Sequence, residues 1–234
     1  MTYGQSFEKT RRLSPRIWDA DYCLLVGLRN EVHGFAQGLP GNCPLVIDYG
    51  CGAKPYRELF PRSCSYLGVD VCDNPWADLL ARPGEEIPTP SSSADAVIST
   101  QVVYLIRDYS AYLQECHRVL KPGGWLLLTT HGTWTYHPAS GADYYRFTQD
   151  GIKAALEVAG FEVSSIRPIV GTLGTGLHLR QLVFNSWLKR LHLRWVANAL
   201  NILTNVRILI EDAITPKGSR MAAPVILACI ARAR

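Results

Sequence analysis

Strands and helices alternate along the second half of this sequence, and this alternation restricts the fold more than any other feature. Apolar runs typical of strands occupy 94–99, 125–130 and 161–170. Helical periodicity covers 109–120 and 150–159 between them, and Gly160 ends the second helix. A chain with this order forms a mostly parallel sheet with helices on both faces. The sequence therefore predicts an α/β fold.

The first part of the chain continues the same pattern. A helix is predicted over 17–37, because its apolar positions are close to helical spacing and Gly38 with Pro40 ends it. The shorter elements predicted after it are strands at 45–48, 66–70 and 76–79, a short helix at 55–60, a connection at 83–93 and a turn at 121–124. A last strand follows at 224–231, which gives seven strands in one sheet.

A tight glycine turn lies between the first two predicted strands. Residues 46–52 read Val-Ile-Asp-Tyr-Gly-Cys-Gly, and the strand at 66–70 ends in Asp70. A backbone that turns sharply while it approaches a ligand leaves no room for Cβ, so it needs glycine. An acid about twenty residues further on can reach the hydroxyls of a ribose. These residues predict a nucleotide-type pocket.

The predicted topology brings further residues to this pocket. Ligands of open parallel sheets bind at the carboxyl ends of the strands. Residues that follow strands should lie along that edge, namely Gly50 to Gly52, Asp70, Thr100, Gln101 and His131.

The bulk properties favour one globular domain over 1–234. Hydrophobic residues are 47% and charged residues 19% of the chain, a composition that excludes disorder. The net charge of +4 is dispersed, so no nucleic-acid partner is expected. The start lacks the apolar core of a signal peptide, and the seven cysteines lack metal-ligand spacing. We therefore expect reduced thiols, no metal site and a cytoplasmic location.

Residues 171–220 interrupt the alternation before the last strand and predict a helical insert. One helical face of the second half is apolar, and the opposite face is polar. The apolar face comprises Val196, Leu200, Leu203, Val206, Ile210 and Ile214. The polar face comprises Arg194, Asn198, Asn201, Asn205 and Asp212. The favoured interpretation is a helix pair that packs on the sheet edge. The alternatives are a lid, an oligomer interface or a peripheral membrane contact through 178–215.

With these residues in place, the chain resembles the class I S-adenosylmethionine-dependent methyltransferases, in the branch with an Asp-x-Gly-Cys-Gly turn. The matching motifs are 48–52, 68–70, 93–97, 118–124, the Asp-Tyr-Tyr-Arg-Phe-Thr segment 143–148, and 159–161. The resemblance implies a Rossmann-like methyltransferase fold and S-adenosylmethionine as the cofactor. It covers about 45–170 and does not extend to the insert.

The resemblance also implies roles for individual residues. Gly50 and Gly52 would lie against the methionine part of the cofactor, and Asp48 would support the turn and the amino group. Asp70 would accept hydrogen bonds from the ribose hydroxyls. The remaining contacts implied are Val71 and Asp78 with the adenine, and Thr100 or Gln101 with the methionine backbone.

The acceptor side is predicted from residues that follow the fifth strand. His131 and His137 are the candidates for a general base, because imidazole titrates near neutral pH. The candidate acceptor contacts are Tyr136, Tyr144, Tyr145 and Arg146, although Arg146 is expected to pair with Asp143 or Asp150. Where relatives often carry Glu-His after the fourth strand, this chain has 103–106 as Val-Tyr-Leu-Ile, which leaves a base from that position in doubt.

Three functions follow from these residues. The first is methyl transfer to an oxygen or nitrogen of a small molecule, such as a sugar, a glycan-linked intermediate or a secondary metabolite. The second is a methyltransferase that acts on a lipid or quinone, which an apolar insert would suit. The third is a non-catalytic partner subunit that retains the fold. A nicotinamide-dependent oxidoreductase is disfavoured, because no third small residue follows Gly50 and Gly52 at the expected helix start.

Overall fold

A computed structural model describes residues 10–40, 45–71, 74–82, 85–136 and 142–234 of the chain. Seven strands form one sheet in the order β3-β2-β1-β4-β5-β7-β6. The strands are β1 (Leu45–Tyr49), β2 (Ser65–Asp70), β3 (Leu79–Leu80), β4 (Ala94–Thr100), β5 (Leu120–His131), β6 (Phe161–Ile169) and β7 (Ile226–Ala233). All neighbouring pairs are parallel except β5 with β7 and β6 with β7. The predicted mostly parallel seven-stranded sheet is confirmed.

Six α-helices with both ends in the described ranges surround this sheet, and residues 10–13 are also helical. The six helices are α1 (Tyr22–Gly38), α2 (Tyr109–Val119), α3 (Gln149–Val158), α4 (Thr172–Arg190), α5 (Arg194–Ile214) and α6 (Lys217–Arg220). Two short 3-10 helices cover Pro55–Leu59 and Val103–Leu105. Three of the helices, α4 to α6, lie between β6 and β7, so the predicted helical insert before the last strand is confirmed.

The two faces of the sheet bury alternate residues of the same strands. Leu126 and Leu128 of β5 pack in one core with α2 and α3, while Leu127 packs in another core with Val32 and Phe35 of α1. Successive side chains of a strand point to opposite faces, so a strand buried on both sides reads as a continuous apolar run. The runs in the sequence that predicted parallel strands have this origin.

Three predicted boundaries were wrong for identifiable reasons. The first helix begins at Tyr22 and not at 17, because the amides of Asn201 and Asn205 bind the backbone carbonyls of residues 17–19. The predicted turn at 121–124 is a bulged part of β5: Leu120 pairs with Ala94 and Trp125 with Ala96, so β5 advances five residues over two of β4. The third strand is shorter than predicted, since it pairs only with the last two residues of β2.

The cysteines and the helices bear on two further expectations. Cys23, Cys51, Cys116 and Cys229 are buried free thiols, but Cys64 is disulfide-bonded, so the expectation of reduced thiols was wrong for Cys64. No helix in the described ranges is both long enough and apolar enough to cross a membrane.

The structure shows which face of α5 is buried. Leu200, Leu203, Val206, Ile210 and Ile214 are exposed, and the polar Asn201 and Asn205 are buried. The helix pair packs on the sheet edge, as the favoured interpretation expected, because Leu177 of α4 and Ile208 of α5 share a core with Ile169 and Ile226. The polar face of α5 turns inward, where Asn201 and Asn205 donate hydrogen bonds to the backbone carbonyls of residues 17–19.

Candidate functional site

The glycine turn after β1 has the strained geometry that its sequence predicted. Gly50 has φ +83°, and a Cβ at this position would stand 2.3 Å from Cγ2 of Val102. Gly52 has φ +52°, but a Cβ there would meet no atom within 4 Å. Gly50 is therefore required by both conformation and packing. At Gly52 the turn faces open space in which a ligand can approach the backbone.

The carboxylate of Asp70 is held at the end of β2 by three donors. Its Oδ2 accepts hydrogen bonds from the backbone N–H of Gly52 at 2.7 Å and from Nδ2 of Asn74 at 2.7 Å. Its Oδ1 accepts one from the backbone N–H of Val71 at 2.8 Å. Sγ of Cys51 is a weak fourth donor to Oδ2 at 4.0 Å, so Oδ1, with one donor, is the oxygen that can accept from a ligand hydroxyl.

Asn74 is a site residue that the sequence did not reveal. Its amide nitrogen also donates to the backbone carbonyl of Gly52 at 2.8 Å, so one side chain joins the turn to Asp70. Asparagine in a loop ordinarily signals only a local turn, and no spacing rule connects it to a glycine twenty-two residues earlier.

Asp48 is buried beneath the turn, with 1% of its surface exposed. Burial raises its pKa from 3.8 to about 7, and the charge of Asp70 adds to this rise, while a hydrogen bond from the hydroxyl of Tyr66 at 2.6 Å to Oδ2 opposes it. The other oxygen, Oδ1, has no hydrogen-bond partner. A buried acceptor without a donor is costly, so this oxygen is suited to a donor supplied by a ligand.

Asp78 is engaged by the protein itself. Its carboxylate pairs with Nζ of Lys54 at 2.5 Å and accepts a hydrogen bond from the backbone N–H of Gly68 at 2.7 Å. Burial alone would raise the pKa of Asp78, but these two interactions outweigh it and hold the pKa below its usual range. Asp78 does not line the adjoining cavity, and its contact with an adenine stays a prediction.

A cavity of about 750 Å³ opens at the carboxyl edge of the sheet. The predicted residues that line it are Gly50, Gly52, Asp70, Val71, Thr100, Gln101 and Tyr144. The unpredicted ones include three arginines, Arg12, Arg82 and Arg107, from three separate segments. Gln101 has φ +61°, and its Oε1 is buried without a hydrogen-bond partner, as is Oδ1 of Asp48.

His131 does not line this cavity. It is buried at the end of β5, where its ring stacks on Trp134 at 4.7 Å between centroids and tilts against Tyr104 at 4.5 Å. Trp134 in turn stacks on His178 of α4 at 5.2 Å. His131 lies at the carboxyl edge of the sheet, as predicted, but its ring packs toward α4, and its role as a general base stays a prediction. His137 lies outside the described residues.

The other candidate acceptor contacts divide between the cavity and the protein. Arg146 pairs with Asp143 at 2.5 Å, which confirms one of the two pairings expected for it. The hydroxyl of Tyr145 donates to the carbonyl of Arg107 at 2.7 Å, and Tyr136 is 76% exposed. Of this set only Tyr144 lines the cavity.

These features fit S-adenosylmethionine. The cofactor would bring donors and acceptors in its amino acid part and two ribose hydroxyls. The cavity is lined by Gln101, whose Oε1 has no hydrogen-bond partner, by the open face of Gly52 and by the fixed carboxylate of Asp70. Oδ1 of Asp48, beneath the glycine turn, has no hydrogen-bond partner either.

Comparisons with known proteins agree with this geometry. A family model described as a methyltransferase domain matches residues 47–128. A probable S-adenosylmethionine-dependent methyltransferase of Mycolicibacterium smegmatis is 37% identical over 133 residues, which are 50% of this chain and 52% of that protein. A malonyl-[acyl-carrier protein] O-methyltransferase of Hahella chejuensis is 31% identical over 132 residues (50% and 47%). The human mitochondrial ubiquinone biosynthesis O-methyltransferase is 30% identical over 103 residues (36% and 28%).

Two solved structures show the same fold. The [4+2]-cyclase SpnF superposes with a TM-score of 0.59 at 15% identity, covering 89% of this chain and 80% of that one. A putative methyltransferase of Haloferax volcanii, in complex with the activator Trm112, superposes with a TM-score of 0.57 at 16% identity and 96% coverage of both. At these identities the likeness concerns the fold alone.

The sequence matches agree with the predicted class and cofactor: residues 47–128 match a methyltransferase domain, and half of the chain matches a probable S-adenosylmethionine-dependent methyltransferase. The chain spans about half the length of the curated relatives it matches. The narrower branch defined by the Asp-Tyr-Tyr-Arg-Phe-Thr segment stays a prediction.

Proposed function

We propose that this chain transfers a methyl group from S-adenosylmethionine to an oxygen or nitrogen of a small molecule. The observation that carries the proposal is the cavity that joins the glycine turn, Asp70 and Gln101 at the carboxyl edge of the sheet. The volume of about 750 Å³ lies in the range typical of small-molecule sites. Candidate acceptors are a sugar, a glycan-linked intermediate or a secondary metabolite.

The cofactor residues in this proposal are those that the resemblance implied. Gly50 and Gly52 approach the methionine part, Asp48 accepts from the amino group, and Asp70 accepts from the ribose. The other contacts proposed are Val71 and Asp78 with the adenine and Thr100 and Gln101 with the methionine backbone. The sulfonium supplies an activated methyl, so the protein chiefly has to align the acceptor and let its proton leave.

The lining of the cavity favours an anionic acceptor. Three guanidinium groups, of Arg12, Arg82 and Arg107, line it together with one carboxylate, that of Asp70. Guanidinium groups recognise carboxylate and phosphate by paired hydrogen bonds. We therefore propose that the acceptor carries one of these groups.

The identity of a general base belongs to the same proposal. Among the described residues that line the cavity there is no histidine, and the one tyrosine is Tyr144. An acceptor oxygen that is already ionised, such as a carboxylate, needs no base. His137 is the proposed base for an acceptor that must lose a proton, since it precedes Ala142, another lining residue, by five positions in the sequence.

A lipid or quinone acceptor is the second candidate, and one observation favours it. The helices α4 and α5 expose an apolar surface, and α4 begins directly after β6, at the sheet edge that carries the cavity.

The test measures cofactor binding and methyl transfer separately. S-adenosylhomocysteine at 100 times its dissociation constant should stabilise the wild type by about 2.7 kcal/mol in a thermal shift, and NAD should not. Asp70→Ala loses charge-assisted hydrogen bonds worth roughly 1.5–3 kcal/mol, so its affinity should fall about tenfold to a hundredfold. Stabilisation by NAD alone, or an unchanged affinity of Asp70→Ala, would contradict the proposed site.

Labelled methyl transfer then identifies the acceptor. The wild type is incubated with labelled S-adenosylmethionine and sugar acids, sugar phosphates, aromatic acids or lipid extracts, and the label is counted in aqueous and organic phases. Label in the aqueous anions supports the first candidate, and label in the organic phase supports the second. Cofactor binding without transfer to any acceptor would support the non-catalytic partner subunit instead.

A further inference from the structure

The hairpin of α4 and α5 is packed with its polar side toward the protein. Gln181 and Asn185 of α4 and Asn201 and Asn205 of α5 are buried and hydrogen-bonded to one another, with Nδ2 of Asn201 at 3.1 Å from Oδ1 of Asn185. Asn205 also donates to the carbonyl of Ile17 at 2.8 Å. The polar face of this hairpin is thus buried, whereas a surface helix ordinarily buries its apolar face against the core.

The apolar side of the hairpin faces outward. Of the twenty exposed large hydrophobic residues among the described ones, fourteen lie between Leu173 and Ile214. They are Leu173, Val183, Phe184, Trp187, Leu191, Leu193, Trp195, Leu200, Ile202, Leu203, Val206, Leu209, Ile210 and Ile214. Soluble proteins rarely expose a contiguous apolar surface of this kind unless something covers it.

The same hairpin concentrates the positive charge of the chain. Residues 171–220 contain seven basic and two acidic side chains, a net charge of +5, whereas the whole chain carries +4. Arg207 pairs with Glu211 and Arg220 with Asp212, which accounts for both acids. Five basic side chains remain without an acidic partner in the described structure: Arg180, Lys189, Arg190, Arg194 and Lys217.

The residues at the hairpin tip identify what covers this surface. Trp187 and Trp195, 61% and 74% exposed, flank the turn between the helices, and three of the unpaired basic residues lie at the same turn. Tryptophan prefers the boundary between lipid chains and headgroups, and lysine and arginine near an apolar face attract anionic lipids. We propose that the α4–α5 hairpin docks on the surface of an anionic lipid bilayer.

A second copy of this chain fits the surface less well. A twofold interface would place the hairpin against itself and bring two charges of +5 together, which is repulsive. An anionic bilayer matches both the apolar face and the charge. The helices would lie along the bilayer surface, since neither is long and apolar enough to span it.

The hairpin begins at the functional edge of the sheet. The last residue of β6, Ile169, pairs with Ile226, which also pairs with His131 at the end of β5. Trp134 stacks between His131 and His178, so a column of rings joins this edge to α4. The inference goes beyond the proposed function, because binding to a bilayer requires neither cofactor nor acceptor.

The test is co-sedimentation of the full chain with vesicles, without any methyl donor. One set is phosphatidylcholine alone, and the other contains about 30% phosphatidylglycerol. The wild type should sediment with the anionic vesicles. Brominated lipid should quench the part of its tryptophan emission that comes from Trp187 and Trp195, so the emission of W187F/W195F should be quenched less. L203E/I210E should bind at least about tenfold more weakly, and K189A/R190A/R194A on the order of a hundredfold more weakly to the anionic set.

Val158→Glu is the matched control. Val158 lies on α3 and is 78% exposed, so this change places one glutamate, half the charge added by L203E/I210E, at an exposed apolar residue outside the hairpin. It should leave vesicle binding unchanged. All variants should keep the circular dichroism of the wild type, because the replaced side chains are exposed in the folded chain.

Three results would overturn the proposal. The first is a wild type that stays in the supernatant with anionic vesicles, and the second is equal weakening by V158E and L203E/I210E. The third is a dimer, seen by analytical ultracentrifugation, that L203E/I210E dissociates while vesicles bind neither form. Failure of methyl transfer would leave the vesicle result intact, so the two proposals fail separately.

Discussion

The buried carboxyl of Asp48 makes the stability of the chain depend on pH in a way that one substitution removes. Its pKa is raised from 3.8 to about 7 in the folded state, chiefly by burial. For an acid with a raised folded pKa, the native state keeps a proton that the unfolded chain releases. The free energy of unfolding therefore falls as pH rises from 3.8 through about 7.

The magnitude follows from the two pKa values. Over the whole window the loss is about 4 kcal/mol, and between pH 5 and pH 8 it is about 2.5 kcal/mol. Asp48→Asn has nearly the same shape, can still accept from Tyr66 and has no proton to lose. The variant should gain about 2.5 kcal/mol relative to the wild type between pH 5 and pH 8.

The assay is urea unfolding of both proteins at pH 5, 6, 7 and 8. The slope of the unfolding free energy against urea concentration should be the same for the two proteins. Tyr66→Phe is the informative control, because its hydroxyl bonds Oδ2 of Asp48 and opposes the rise in pKa. Without that hydroxyl the wild-type loss should extend to higher pH, whereas in the Asp48→Asn background it should have no effect on the pH dependence. Parallel curves for wild type and Asp48→Asn would refute the reasoning.

The same substitution separates stability from binding. Oδ1 of Asp48 has no partner in the protein and is the proposed acceptor for the amino group of the cofactor. Asp48→Asn should therefore be the more stable protein at pH 8 and bind S-adenosylhomocysteine about tenfold more weakly, as isothermal calorimetry would measure.

Two other sites give predictions of the same kind. Gly50→Ala should destabilise the fold by about 2–4 kcal/mol, because a Cβ at φ +83° meets Cγ2 of Val102 at 2.3 Å. Gly52→Ala should cost only about 1 kcal/mol of backbone strain but should weaken cofactor binding. Chemical unfolding measures the stability of both variants and calorimetry their cofactor binding, and equal destabilisation would contradict the packing argument. Burial lowers the pKa of His178 from 6.5 to about 4, so the unfolded chain binds more protons between these values and stability falls as pH drops from 6.5 toward 4. Between pH 8 and pH 5 the wild type should lose about 2 kcal/mol of unfolding free energy through this residue, and His178→Phe should not. An equal decrease in both proteins would contradict the prediction.

Local signals predicted the sheet and its glycine turn well. Strands buried on both faces read as apolar runs, and Gly160, with φ +94°, ends a helix where the periodicity stops. Asp70 is the last residue of the predicted strand at 66–70. Because neighbouring parallel strands end at one edge of the sheet, the end of this strand places Asp70 at that edge. These features depend on residues close together in the chain.

Features that depend on distant parts of the chain were missed. Asn74 joins the turn to Asp70, and Arg12 reaches the cavity from a segment that precedes α1. His131 ends β5 at the predicted edge, but its ring packs between Tyr104 and Trp134 and does not line the cavity. The direction of a side chain at a strand end is decided by the neighbours it meets, which spacing does not specify.

The sequence by itself determined the α/β fold, the strand that ends in Asp70 and the two-sided character of the helix at 194–214. Only the tertiary structure decided which side of that helix faces the protein. The spacing of apolar residues shows that a helix has two different faces, but it does not show which face is buried. Here the amides of Asn201 and Asn205 donate to the backbone carbonyls of residues 17–19, so the polar face is turned inward and the apolar face is exposed.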